Sequence, residues 1–126
     1  MAVAVITVSE SSFEGVCKIK FTWQSATDGS GALATAFGYY GEVLALYTDP
    51  GATAPTDNYD ITVTDEEGYD VMQGAGANRD TANNETAVPT AKSVAFGKLT
   101  LNLANCGDAK QGVAILYVLG RRLGSS

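Results

Sequence analysis

Between residues 65 and 70 the chain sets four carboxylates around one glycine, in the run Asp65-Glu66-Glu67-Gly68-Tyr69-Asp70. Oxygen ligands gathered on a turn are what a calcium ion takes, and Asp65, Glu67 and Asp70 are the residues here that would offer them. The run lacks the alternate-position carboxylates and the distal glutamate of a helix-loop-helix calcium loop, so a solvated hairpin tip is the competing assignment and no metal is assigned. Paired carboxylates also serve glycosidases, but acids on turns without a sugar-stacking platform are ordinarily solvated. The sequence contains no histidine. That removes the commonest general base and the commonest metal ligand, and leaves a serine, lysine or cysteine nucleophile without an activating imidazole. Gly74-Ala75-Gly76-Ala77-Asn78 fails as a dinucleotide loop because no helix pattern follows and the third glycine is missing. Cys17 and Cys106 stand 89 positions apart, outside any metal-type spacing. They read as two buried reduced thiols, with a disulfide between the ends of the chain as the alternative. No catalytic residue and no cofactor is assigned, and the chain is expected not to be an enzyme.

The elements that would carry these residues are strands. Over residues 16–23, Cys17, Ile19, Phe21 and Trp23 share one face while Lys18, Lys20 and Thr22 share the other. That period of two marks a half-buried antiparallel strand. Tyr59, Ile61 and Val63 alternate in the same way with Asp60, Thr62 and Thr64, as do Leu99, Leu101 and Leu103 with Lys98, Thr100 and Asn102. Residues 3–8 are rich in β-branched side chains and make a further strand. Residues 43–47 and 113–119 are apolar on both faces, which fits central strands or strands covered by another subunit. Asp28-Gly29-Ser30-Gly31, Asp49-Pro50-Gly51, Asp65-Glu66-Glu67-Gly68 and Asn105-Cys106-Gly107-Asp108 supply the turns. The best helical window, residues 31–37, is short and opens on glycine, so it is read as extended or as a single turn. The fold class expected is all-β: one domain over residues 1–126, an antiparallel β-sandwich or jelly roll of about six to eight strands.

One segment departs from this grammar. Residues 74–89 form a long Gly/Asn-rich stretch with almost no large apolar side chain. A loop of that length is ordinarily functional or disordered. Read as an arm that orders against a neighbouring subunit, it offers Asn78, Arg79, Asp80, Asn83, Asn84, Glu85 and Val88 as interface residues. The acids are also unevenly spread. Residues 49–80 hold eight against the single base Arg79, a net charge of −7, so one end or face should be strongly negative.

Across all 126 residues the formal charge is −6, which disfavours a nucleic-acid partner and an anionic membrane surface. The first residues lack the basic region and cleavage site of a secretion signal, and no apolar run reaches bilayer-spanning length. The expectation is a soluble chain made in a cytoplasm.

Four stretches carry a family resemblance: Ala54-Pro55-Thr56-Asp57-Asn58-Tyr59-Asp60-Ile61-Thr62-Val63-Thr64-Asp65-Glu66-Glu67-Gly68-Tyr69-Asp70-Val71, then Gly76-Ala77-Asn78-Arg79-Asp80-Thr81, then Lys98-Leu99-Thr100-Leu101-Asn102-Leu103, and Lys110-Gln111-Gly112-Val113 through Tyr117. Together they resemble small structural proteins encoded among the virion genes of tailed bacteriophages. The first third of the chain has no counterpart in that resemblance. It implies a particle component, first a capsid decoration (cement) protein that bridges and stabilises capsomers through non-covalent contacts. Next comes a tail, neck or head-fibre component acting as an adaptor or host-surface binder. A calcium-dependent binding module is a third reading, resting on the acidic run at residues 65–70. The partners expected are the chain itself, as a homo-oligomer with a trimer favoured, and the phage major capsid protein. The expected location is the capsid exterior, after synthesis in the host bacterial cytoplasm.

Overall fold

The computed structural model describes residues 3–123, and among these it is built from nine strands without a helix. Two long antiparallel strands, β4 (Gly38–Pro50) and β9 (Gln111–Leu123), form its centre. On the far side of β9 lie β2 (Val16–Gln24) and then β1 (Val5–Phe13). The outer edge of β4 is shared by two short strands, β6 (Glu85–Ala87) and β7 (Val94–Gly97). The larger sheet therefore runs β1-β2-β9-β4, closed by β6 and β7. A smaller sheet, β3-β8-β5, is made of Gly31–Ala34, Thr100–Ala104 and Asp60–Thr64. All pairings are antiparallel, and the two sheets form a sandwich.

The alternation visible in the sequence fills the space between the sheets. Cys17, Ile19, Phe21 and Trp23 of β2 and Ala114, Leu116 and Val118 of β9 point inward with Tyr39, Val43 and Leu46 of β4. They meet Ile61, Val63, Leu101 and Leu103 of the smaller sheet, and Leu99, Val71 and Met72 complete one continuous core. Trp23 and Tyr59 close one end of it, with ring centroids 5.8 Å apart.

Two backbone devices make the central pair possible. A bulge between Val43 and Ala45 leaves Leu44 without a partner, so both Glu42 before it and Tyr47 after it face outward. Further along, Gly41 lies opposite Gly120. A Cβ on Gly41 would run into the Leu119 carbonyl oxygen, and one on Gly120 into that of Tyr40, so the two backbones approach as only glycine permits.

The nine strands exceed the six to eight expected, and the surplus has a clear origin. Residues 31–34 are a true strand, because Gly31 through Ala34 pair with Leu103 through Thr100. β6 and β7 have only three and four residues, too short for a periodicity signal. After β5, the acidic turn is closed by one bridge between Thr64 and Asp70, and no long returning strand follows.

Leu116 is fully buried at the centre of β9, whereas Val5 on the edge strand is 57% exposed. Leu116→Ala should therefore lower the free energy of unfolding by about 3 kcal/mol. Val5→Ala should change it by less than about 0.5 kcal/mol. Urea denaturation of both variants checks the contrast.

Candidate functional site

The acidic turn uses its carboxylates on its own backbone. Asp65 Oδ1 accepts hydrogen bonds from the amides of Glu67 and Tyr69, at 2.9 and 3.0 Å. Asp70 accepts from Val63 and Met72 through Oδ1 and from Gly74 through Oδ2, at 3.2, 3.0 and 2.9 Å. Glu66 reaches away to the Lys98 amide at 3.1 Å. Carboxylates turned to backbone N–H groups are loop caps. Among the described residues no group of three metal-ligating side chains is placed to hold an ion, so Asp65, Glu67 and Asp70 are not brought together as a site.

The same use of acids organises residues 74–89. Asp60 Oδ1 accepts from the Asn78 amide and its Oδ2 from Asn105 Nδ2. Asp57 accepts from the Thr81 amide. Arg79 pairs through its backbone with Tyr59 and Asn58, and its guanidinium lies 3.4 Å from Glu85 and also donates to the Ala77 carbonyl. Asp80 accepts from the Ala82 amide and from Asn83 Nδ2, which hold its carboxyl below the usual range. Asn84 Nδ2 donates to the Tyr47 hydroxyl at 2.6 Å. Asn78, Arg79, Asn84 and Glu85 thus tie the loop to its own domain, Glu85 as the start of β6, while Asp80 and Asn83 bond within the loop. Val88, 60% exposed, faces outward without a polar contact, and Asn78, Asn83 and Asn84 are exposed as well. Seven of the eight acids of residues 49–80 lie on β5 or in the connections before and after it, and Asp49 lies near the end of β4.

Away from the β5 edge, Glu10 fastens the edge strand β1 to the β3–β4 connection. Its carboxylate accepts from the amides of Ala36 and Phe37 and from the Tyr39 hydroxyl, at 3.0, 3.2 and 2.8 Å. Arg122 stacks its guanidinium 4.3 Å above the Phe37 ring and donates to the Glu10 carbonyl. Burial and the Glu10 contact push the Tyr39 phenol far above its ordinary range, so it acts here as a neutral donor. Cys17 and Cys106 are both buried free thiols, in β2 and in the turn after β8. Burial raises both, Cys106 from 9.0 to about 12. Neither has the low-pKa, exposed character of a reactive cysteine.

What stands open is a surface. β9 turns Val113, Ile115, Tyr117 and Leu119 to the outer side of the larger sheet, away from the core-facing Ala114, Leu116 and Val118. Val16 lies opposite Leu119, and Ala45 and Tyr47 lie opposite Tyr117 and Ile115. Tyr40 extends the apolar area and packs edge-on against Phe96, ring centroids 5.0 Å apart. Phe96 is 71% exposed, Val94 57% and Leu119 48%. On the β1–β2 side two open hollows of about 450 and 470 Å³ shape this face, one lined by Val5, Thr22, Gln111 and Val113, the other by Ser11, Phe13, Val16 and Lys18. Within the stripe Ile115 is 8% exposed and Val113, Tyr117 and Tyr47 are half-buried, so the exposure concentrates at Leu119, Val94 and Phe96. An apolar area of this kind has the character of a contact surface. The doubly apolar runs at 43–47 and 113–119 announced it. Val94 and Phe96 were missed, although Val94-Ala95-Phe96 is likewise apolar on both faces.

Comparison of the chain with protein-family models, with curated proteins and with solved structures finds no match.

Three outcomes follow from these placements. Asp70→Ala strips the caps from three amides and should cost about 2 kcal/mol of stability, while millimolar calcium or EDTA leaves the wild-type thermal midpoint where it is. In the native protein at pH 8, a thiol reagent should label neither cysteine until denaturant is added. The folded state holds the Cys106 proton more tightly than the unfolded chain does. Its contribution to stability is therefore complete below pH 9 and lost as the pH climbs toward about 12, a decline that Cys106→Ala should reduce in alkaline denaturation curves.

Proposed function

We propose that the chain is a structural protein of a bacteriophage virion, a capsid decoration protein that works by contact and performs no chemistry. The observation that carries the reading is the pairing of a helix-free sandwich with an apolar sheet face open to contact with further subunits, while most acids of residues 57–80 cap turns. Rigidity and a broad contact area are what a bridging protein needs. Repeated over a symmetric shell, weak individual contacts sum to stable attachment. The likeness of four stretches between residues 54 and 117 to small phage structural proteins gives the direction, and the lack of histidine agrees with a role that needs no proton transfer. The short β6 and β7 blunt one edge of the larger sheet, a protection against edge-to-edge aggregation that suits a protein made in many copies.

Co-sedimentation with capsids of its own phage, stripped of this chain, tests the proposal. Saturation at hundreds of copies per particle is the expected result. Saturation at a dozen or fewer moves the protein to a vertex, neck or tail as an adaptor, and no binding overturns the virion reading.

A further inference from the structure

We infer that the outer face of the larger sheet is the contact between two copies of this chain, packed face to face about a two-fold axis that runs along β9. The inference does not depend on the virion reading, because it rests on how charge is arranged around the apolar stripe.

On one flank β2 presents Lys18 opposite Tyr117 and Lys20 opposite Ile115. On the other flank β4 presents Glu42 opposite Leu119 and Asp49 opposite Val113. Among the described residues the ion pair formed is Arg79 with Glu85, so none of these four charges is paired within its own chain. A basic flank, an apolar centre and an acidic flank make the face complementary to itself, but only in one orientation. Rotation by 180° about an axis along β9 exchanges the flanks and brings the β2 lysines of each copy over the β4 carboxylates of the other. Rotation about an axis across the strands sets lysine over lysine and carboxylate over carboxylate, which electrostatics rejects. In the favoured orientation the opposite charges are offset by two residues along the strand, about 7 Å, within the span of a lysine side chain between sheets about 10 Å apart. Arg121 also faces outward on β9 and meets its own counterpart. It sits two residues past Leu119, near the strand end, where its long side chain can turn out to solvent. An apolar centre with a charged rim is the ordinary anatomy of a stable interface. The two-fold symmetry makes each contact occur twice and yields a closed pair in place of the trimer expected from sequence.

Sedimentation equilibrium of the full chain tests this. The wild type should be a dimer. Lys18→Glu with Lys20→Glu, and separately Glu42→Lys with Asp49→Lys, should each weaken self-association at least tenfold while circular dichroism stays β-type. Mixing the two double variants should restore a one-to-one pair, since each then sets opposite charges across both flanks, and the chain carrying all four changes should pair with itself again. A wild type that stays monomeric up to about 1 mM, a wild-type trimer, or a Lys18→Glu/Lys20→Glu variant that dimerises like the wild type would each overturn the inference.

Discussion

The antiparallel pairing of β4 with β9 is the interaction on which the rest of the molecule depends. Its twelve paired positions join the two halves of the larger sheet, with β2 and β1 on one side and β6 and β7 on the other. Its inward side chains supply the centre of the core. The pairing works because the Gly41–Gly120 contact lets the backbones close together and the bulge at Leu44 resets the alternation, so that Val43 and Leu46 both reach the interior. The same strands are apolar on their other side, and a three-stranded sheet can cover only one face of them. An uncovered apolar face is thus a consequence of the architecture, and it is the surface on which the proposed pairing rests.

Acidic residues play a second organising role. Asp57, Asp60, Asp65, Asp70 and Asp80 each accept hydrogen bonds from amides of nearby turns, and Glu10 does the same for the connection into β4. A long stretch poor in apolar side chains can be ordered in this way, because each captured amide restrains several residues without needing a core. The cluster that looked like a metal loop and the segment that looked like a free arm are, in the fold, parts of one capping system along the β5 edge.

These two features give the molecule a consistent division. The smaller sheet and its capped turns form a polar, internally satisfied side. The larger sheet carries an apolar, charge-flanked outer face. Both thiols are buried, and the Tyr39 hydroxyl is committed to Glu10.

Much of this was legible in the residues. The period-two patterns at 16–23, 59–64 and 99–103 identified half-buried strands and their inward faces, because side chains on a strand alternate whatever they pack against. The apolar runs at 43–47 and 113–119 marked the two strands that became the centre. Strand order was not legible, since the pairing of β2 with β9 and of β3 with β8 joins residues far apart in the chain and depends on the whole set of faces being buried together. β3, β6 and β7 needed neighbours to exist at all, being too short to show a pattern of their own. The fates of Asp65, Asp70, Arg79 and Glu85 were likewise decided only in three dimensions. A carboxylate or guanidinium serves as ligand, interface contact or cap according to which backbone groups the tertiary fold brings within hydrogen-bond reach. The sequence by itself determined the all-β class and which side chains turn inward. The tertiary structure alone decided which of two apolar faces would be covered and which left open.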